Sequence, residues 1–319
     1  MRIKKRRNTF SRNTYGRNTV SIRRDGRNKI TLALFVLLII VFILVITIIA
    51  RSCSASIKNK ASDSEGKNST TTTTEKKGNV TEAKDLYYYD SSRAKRYDAY
   101  AKDNPDIDLG DVVWMVNVDM DNPEYEEVIE ADDYDSTTVL VNKHYYVPEG
   151  YTPSNLVKVD SAEIRSDAAD AYKKMKKAAA KKKYTIGALS GYRDYETQDS
   201  VYNRYLEAGD EEEIVDTYSA RPGYSEHHTG LAIDISNSSL ELSEFEGTPE
   251  AQWVEENCYK YGFILRYTEE NSQYTGYITE PWHIRFIGVK HATKMRELKI
   301  LSYEEYKVKY IDYSPDGDK

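Results

Sequence analysis

The sequence predicts an α+β protein in which helices flank an antiparallel sheet. Three short apolar-rich runs in the second half predict strands at residues 231–236, 263–267 and 282–287. In the first and last of these runs, apolar and polar residues alternate, as expected for strands that bury one face. Segments with helical patterns and capping residues stand between the runs. Strands and helices mixed in this order favour an α+β domain.

The elements before the first run are two helices and a strand. We expect one helix to start at Ser161 and to run through 168–180, since acidic residues near its start and lysines at its end suit the helix dipole. A strand should follow at 184–190. The next helix is predicted over 194–208, where Gly209 ends it.

Two further elements complete the prediction. Thr248 precedes Pro249, a pair typical of a helix start, and Gly262 marks the end of that helix. Nearer the N-terminus, the run from Val112 to Val118 is interpreted as a strand.

The chain has 319 residues and a net charge of −7, and the charge is divided unevenly. Residues 1–29 contain eleven Lys or Arg and one acid, or about +10, which leaves about −17 for the remainder. We divide the chain into five segments: a basic cytoplasmic tail (1–29), a transmembrane helix (30–50), a flexible Ser/Thr/Lys-rich linker (51–83), an acidic Tyr-rich extension (84–135) and the main domain (136–319).

The transmembrane prediction depends on residues 30–50, which carry no charge and only two mildly polar threonines. As a helix they would be about 31 Å long, close to the hydrocarbon thickness of a bilayer. The positive charge before this span predicts a cytoplasmic N-terminus and export of everything after it. A cleaved signal peptide is the alternative, but its apolar core is normally shorter.

The flanks of the span bear on anchoring and partners. Cys53 follows the span closely, which raises the possibility of a lipoprotein, and Arg51 argues against one. We therefore expect an uncleaved single-pass anchor in the cell membrane.

The basic tail is expected to bind anionic membrane lipid rather than nucleic acid. Cys53 and Cys258 are not spaced as a metal pair, and we predict no disulfide between them.

The chemistry of the chain is concentrated in two motifs. The first, Ser225-Glu-His-His-Thr-Gly-Leu-Ala-Ile-Asp234, has the form S-x-H-x-x-G-x-A-x-D, and the second is Glu280-Pro-Trp-His283. Two histidines and an aspartate suit a catalytic zinc that keeps one position open for water. Glu280 stands where it could take a proton from that water.

A third segment, Ser190-Gly-Tyr-Arg193-Asp-Tyr-Glu-Thr-Gln198, extends the pattern. Together the motifs resemble the VanY-type zinc D,D- and L,D-carboxypeptidases of bacterial cell walls, over roughly residues 138–300. The resemblance implies one zinc ion held by His227, Asp234 and His283, with Glu280 as the general base.

The same resemblance implies that Arg193 and Gln198 bind the peptide substrate, with Ser225 nearby. A guanidinium group matches a terminal carboxylate with two hydrogen bonds, which would favour cleavage at the end of a chain. The alternative for Arg193 is an ordinary salt bridge, because Asp194 and Glu196 are close in sequence.

The expected function is therefore removal of the C-terminal D-alanine from peptidoglycan stem peptides, by a monomer whose catalytic domain faces the cell wall. An endopeptidase that cuts within or between stem peptides is the alternative within the same chemistry. A non-catalytic wall-binding or sensory protein on the same fold is the alternative outside it. The motif Ser92-Arg-Ala-Lys95 matches the S-x-x-K of penicillin-binding enzymes, but no K-T-G accompanies it.

Overall fold

The computed structural model describes residues 82–237 and 242–315. Its helices, leaving out short 3-10 turns, are α1 (Ala94–Asp103), α2 (Leu109–Asn117), α3 (Ser166–Lys181), α4 (Tyr195–Ala208), α5 (Glu212–Val215), α6 (Pro249–Asn257), α7 (Ser272–Thr275), α8 (Val289–Leu298) and α9 (Tyr303–Lys307), which a π turn continues to Asp312. Its strands are β1 (Ile129–Glu130), β2 (Tyr145–Tyr146), β3 (Leu156–Val159), β4 (Ala162–Arg165), β5 (Gly187–Ser190), β6 (Ala232–Ser236), β7 (Phe263–Leu265) and β8 (His283–Phe286).

The predicted basic tail, transmembrane helix and all but the last two residues of the linker lie outside the described residues. None of the helices within 82–237 and 242–315 combines the length and the apolar character that crossing a bilayer requires. The membrane anchor therefore stays a prediction from sequence.

The main sheet has four strands in the order β5, β6, β8, β7, and every neighbouring pair is antiparallel. Strands β6, β7 and β8 fall within the three runs from which the sequence predicted them. All five residues of β6 are buried, since it has a paired strand on each side. The register of β6 and β8 sets Asp234 beside His283. The predicted α+β class with an antiparallel sheet is thus confirmed.

The larger hydrophobic core joins α3 to this sheet. Helix α3 buries Ala168, Tyr172, Met175 and Ala179, which are spaced three or four residues apart and so form one face of the helix. The sheet and its flanks contribute buried apolar side chains to the same core: Ile186, Ala188, Leu231, Ile233, Ile235, Phe263, Ile284 and Phe286.

Helix α3 begins five residues later than predicted, because 156–165 form the hairpin of β3 and β4. Apolar residues at alternate positions favour this pairing, and Asp160 takes a positive φ of 52° at the turn. The Asp160 carboxylate accepts hydrogen bonds from the Tyr172 hydroxyl and the Ala188 backbone N–H, both at 3.0 Å. Asp160 thus ties the turn of the hairpin to α3 and to β5.

The predicted strand at 112–118 is wrong, since this run lies in helix α2. Asp108 caps the helix, and its side chain accepts a hydrogen bond from the Gly110 N–H at 2.9 Å. Residues 112–116 are all apolar and all buried, so this run is apolar on every side of the helix. A short, uniformly apolar run carries no periodicity that separates a buried helix from a buried strand.

A second hydrophobic core connects the two ends of the described chain. Tyr97 of α1 and Trp114 of α2 belong to it, together with Met295 of α8 and Tyr306 of α9. The Tyr87 hydroxyl donates to the carbonyl of residue 309 at 3.0 Å, across 222 residues of sequence. This core thus includes residues of both the predicted extension (84–135) and the predicted main domain (136–319).

The predicted helix boundaries at α4 and α6 are confirmed. The Asp194 side chain caps α4 by accepting from the Thr197 N–H at 2.8 Å, and Gly209 ends the helix with a φ of 103°. Thr248 caps α6, and a 3-10 turn then continues the chain to Gly262. Arg193 thus lies in the short turn between the end of β5 and the capping residue of α4.

Gly191 permits a close approach between β5 and the β3–β4 hairpin. A β-carbon at this position would lie 2.3 Å from the carbonyl oxygen of Glu163 and 2.7 Å from the Ile164 side chain. At Gly187, the first residue of β5, a β-carbon would meet only the Ser236 carbonyl oxygen, at 3.8 Å. Gly191 is therefore required for packing, whereas Gly187 has room for a methyl group.

We expect Gly191→Ala to lower the free energy of unfolding by about 1–3 kcal/mol, because the added methyl group must displace backbone that is already packed. Gly187→Ala is the matched control and should change it by less than about 0.5 kcal/mol. Urea unfolding of both variants measures the difference. Equal stability of the two variants would contradict this account of Gly191.

Candidate active site

Three predicted ligands converge although they are distant in sequence. His227 lies in the 3-10 turn Glu226–Thr229, Asp234 on β6, and His283 at the start of β8. Gly230 ends the turn with a φ of 65°, which reverses the chain so that His227 faces Asp234. The Asp234 carboxylate lies 3.2 Å from His227 Nε2 through one oxygen and 3.2 Å from His283 Nδ1 through the other. All three side chains are buried, and one ligand atom from each lies within 4.8 Å of the others.

The hydrogen bonds behind His227 determine which of its nitrogens faces the cluster. Its Nδ1 lies 2.7 Å from the carbonyl oxygen of Gly191. A carbonyl oxygen only accepts, so Nδ1 carries the hydrogen, and Nε2 turns a lone pair toward Asp234. In a neutral ring, this is the orientation of a histidine that binds a metal ion through Nε2.

The donor set fits a zinc ion. Two histidine nitrogens and one carboxylate are a ligand set of catalytic zinc sites. One ligand atom from each of the three residues lies within 4.8 Å of the others, close enough for them to share one ion. These residues can therefore hold one zinc ion and leave a position for a fourth ligand.

Burial and the close contacts between the three residues shift their pKa values. Burial would raise the pKa of Asp234, but the neighbouring His227 and His283 hold it well below its usual range. Burial lowers the pKa of His227. For His283, burial is outweighed by hydrogen bonds to Asp234 and Glu226, which raise its pKa to about 9. Asp234 thus supplies a negative charge at the centre of the site.

Glu280 stands beside the three ligands, before β8 begins. Its backbone N–H donates to the Tyr267 carbonyl at 3.0 Å, and its carboxylate lies 3.9 Å from His283 Nδ1. Burial raises the pKa of Glu280 to about 8, with the negative charge of Asp234 adding to the effect and His283 opposing it. A carboxyl group with a pKa in this range can both accept and return a proton near neutral pH.

Arg193 reaches the same cluster from the turn before α4. Its Nη2 lies 3.8 Å from the Asp234 carboxylate and donates to Ser190 Oγ at 3.2 Å. The alternative salt bridge to Asp194 is not formed, since Asp194 caps α4. Ser190 was quoted in the sequence motif without a role, and the structure makes it one of the groups that orient Arg193.

Gln198 is buried, and its amide is fully engaged. Its Oε1 accepts from Arg193 Nη1 at 2.7 Å, and its Nε2 donates to the Ala220 carbonyl at 2.6 Å. Gln198 therefore holds the guanidinium group of Arg193 in place, a role that the sequence did not indicate. Ser225 is also buried, and its hydroxyl accepts from the His227 N–H at 3.3 Å, which caps the turn that carries His227.

His228 points away from the cluster. Its Nδ1 donates to the Arg193 carbonyl at 2.7 Å, and its Nε2 accepts from the Gly223 N–H at 2.9 Å. Burial lowers its pKa to about 4, so the ring is neutral. His228 joins the turn of His227 to the turn of Arg193, as expected of a residue outside the ligand set.

Sequence reasoning gave no role to Glu226, Arg266 or Arg285. Glu226 is fully buried and contacts both arginines, with Oε1 lying 2.8 Å from Arg266 Nε and 3.1 Å from Arg285 Nη1. Burial would raise the pKa of Glu226, but the two arginines lower it below its usual range. Arg285 stands two residues after His283 on β8, so the strand alternation could have placed it on the same face.

The three candidate ligands and Glu280 line a cleft of about 300 Å³. Ser190, Arg193, Gln198 and Ser225 lie along it with the three candidate ligands and Glu280. Its other walls include an exposed arginine and several aromatic side chains: Arg204, Tyr205, Tyr218, Tyr267, Tyr277 and Trp282. The cleft thus combines candidate metal ligands, a buried acid and an arginine within a space that admits a peptide end.

Comparisons with known proteins agree with this geometry. The model of the VanY family, described as D-alanyl-D-alanine carboxypeptidase, matches residues 161–289. Putative carboxypeptidase YodJ of Bacillus subtilis (strain 168) is 43% identical over 187 residues, which cover 54% of this chain and 68% of that protein. The D-alanyl-D-alanine carboxypeptidase of Enterococcus faecium is 32% identical over 219 residues, which cover 62% of this chain and 68% of that one.

A solved structure, that of the LdcB LD-carboxypeptidase, is also similar. It superposes with a TM-score of 0.53 at 39% identity and covers 57% of this chain and 90% of its own. The matched segment contains the convergent cluster, and two curated relatives are similar over two thirds of their length. This chain belongs to the VanY family of D-alanyl-D-alanine carboxypeptidases.

Proposed function

We propose that this protein is a zinc-dependent carboxypeptidase that removes the C-terminal D-alanine from peptidoglycan stem peptides. The observation that carries the proposal is the convergence of His227, Asp234 and His283 with Glu280 and Arg193 in one cleft. The relatives support the substrate class, since they include a D-alanyl-D-alanine carboxypeptidase and an LD-carboxypeptidase described with peptidoglycan recognition. Because both stereochemical types occur among them, the proposal covers a D- or an L-residue before the terminal D-alanine.

In this proposal His227 Nε2, one Asp234 oxygen and His283 Nδ1 hold the ion. Zinc, when bound, lowers the pKa of a water molecule and polarises the carbonyl of the scissile bond. Glu280 takes a proton from the attacking water and returns it to the amine of the departing D-alanine. Burial favours the protonated form of Glu280, which is the form that returns the proton, because it raises the pKa of the carboxyl group.

Arg193 would bind the terminal carboxylate of the substrate. Its guanidinium group is held by Gln198 and Ser190, and it lies 3.8 Å from Asp234, so a carboxylate bound to it stands close to the candidate ligands. A positively charged group this close to the candidate metal ligands would restrict cleavage to the last residue of the peptide. This favours a carboxypeptidase over an endopeptidase.

The full-length protein should release D-alanine from stem peptides that end in this residue, and removal of divalent cations by a chelator should abolish the release. Added zinc should restore it. Mass spectrometry of pentapeptide and tetrapeptide substrates measures the product and shows which stereochemistry is accepted. Turnover that survives complete metal removal would contradict the proposed cofactor.

The variant Glu280→Gln tests the role of Glu280 as general base separately from zinc binding. The variant should bind zinc, since Glu280 is outside the proposed ligand set, and its kcat should fall on the order of 10²- to 10⁴-fold. Undiminished turnover by Glu280→Gln would refute the role of Glu280 and leave the metal site intact.

Arg193→Lys should remove the preference for a free terminal carboxylate. The wild-type enzyme is expected to cleave a stem peptide with an amidated C-terminus on the order of 10- to 100-fold less efficiently than the free acid, as the loss of charged hydrogen bonds predicts. In Arg193→Lys, kcat/KM for the free acid should fall toward that of the amide, because the lysine ammonium cannot form the two parallel bonds.

Arg204→Lys is the matched control, because Arg204 lines the same cleft and forms no ion pair with any described residue. Its ratio of kcat/KM for acid and amide should equal that of the wild type. Equal cleavage of acid and amide by the wild-type protein would instead identify an endopeptidase.

We further propose that residues 30–50 anchor the protein in the cell membrane, with the N-terminus in the cytoplasm and the catalytic domain facing the wall. The charge-free run and the basic tail before it support this topology. Protease added to intact cells without a wall should digest the catalytic domain and spare a tag at the N-terminus. Protection of the domain, or its recovery free of membranes, would refute the proposed anchor.

A further inference from the structure

His283 lies between two carboxylates, one on each side of its ring. Its Nδ1 is 3.2 Å from Asp234 in the ligand cluster, and its Nε2 is 3.1 Å from Glu226 Oε2 on the other side. The ring is buried, and each nitrogen has a carboxylate partner. A neutral imidazole carries one hydrogen, and whichever nitrogen holds it leaves the lone pair on the other.

Glu226 is itself held rigidly. Its Oε1 accepts from Arg266 and Arg285, while its Oε2 faces His283. The two oxygens thus have separate partners, and rotation of the carboxylate would break three contacts at once. Because guanidinium groups stay charged at every physiological pH, Glu226 faces two permanent cations.

The arginines are fixed in turn by groups on the far side of the network. Arg266 donates to Glu304 at 2.6 Å, and Arg285 donates to the Val139 carbonyl at 2.7 Å. Glu304 is as fully buried as Glu226, and its carboxylate accepts from Arg266 and from the Asn142 amide but does not contact His283. The network therefore contains two buried carboxylates, and only one of them reaches the ring.

We propose that Glu226 is a positioning residue for the metal site, which keeps the hydrogen of His283 on Nε2 and directs the Nδ1 lone pair to the ion. This inference rests on the proposed zinc site. At His227 the Gly191 carbonyl performs the same task from the other nitrogen. A carboxylate behind a ligating histidine fixes the orientation of the ring and also makes it a stronger ligand.

The competing explanation is that Glu226 only balances the charge of two buried arginines. Glu304 separates the two explanations, because its replacement removes the same charge from the same network without touching His283. Glutamine is the appropriate substitute, since it keeps the size of the side chain. If its amide nitrogen faces His283, the hydrogen moves to Nδ1, and if its oxygen does, the nitrogen clashes with the arginine donors.

The test is zinc affinity, measured on full-length wild type, Glu226→Gln and Glu304→Gln by competition with a chromophoric chelator. We expect Glu226→Gln to bind zinc about 10- to 100-fold more weakly, the range found when such a partner is lost. Glu304→Gln should remain within about threefold of the wild type. Equal weakening in both variants, or wild-type affinity in Glu226→Gln, would overturn the proposal.

A second measurement decides the matter if Glu226→Gln fails to fold. In zinc-loaded wild-type protein with ¹⁵N-labelled histidine, NMR should find the hydrogen of His283 on Nε2 and that of His227 on Nδ1. A hydrogen on Nδ1 of His283 would overturn the proposal. The chelator competition also distinguishes failure of this proposal from failure of the proposed zinc site. A wild type that binds no zinc refutes the metal site, whereas tight binding by Glu226→Gln refutes only the role of Glu226.

Discussion

The pairing of β6 with β8 is the constraint on which the site depends, because it sets Asp234 beside His283 in the interior of the protein. An ionised carboxylate is very unfavourable in such surroundings unless cations or hydrogen-bond donors face it. The turn with His227 and the loop with Arg193 both approach this carboxylate, so groups of positive or adjustable charge surround it. The strand register thus fixes the position of Asp234, and His227 and Arg193 supply the groups that its carboxylate requires.

Much of this could be predicted from the sequence, because the relevant signals are local. The alternation in β6 and β8 indicates which residues share a face, and it gave the correct strands. The caps at Asp194 and Thr248 were recognisable because a capping side chain contacts a backbone group only a few residues away. The ligand motifs carried enough fixed positions to suggest a metal, and the three side chains do meet.

The remainder could not be predicted, because it depends on contacts between distant segments. The run at 112–116 is apolar throughout, so its pattern does not separate a helix from a strand, and its packing with α1 and the C-terminal helices is a long-range contact. Gln198 has the sequence context of a substrate-binding residue, yet its partners are Arg193 and the Ala220 carbonyl. Glu226 has no periodic signal at all, and its importance follows from two arginines that lie 40 and 59 residues away.

The second hydrophobic core imposes an order on the formation of the native protein. Tyr87 contacts residue 309, and α1 and α2 pack with α8 and α9, so the earliest described helices reach their final partners only when the last ones exist. During synthesis, the apolar surface of α2 must wait while nearly two hundred further residues are added. Loops of this size close slowly, and exposed apolar surface invites aggregation in the meantime. Until its last helices emerge, the apolar side chains of α2 lack the partners that bury them in the native protein.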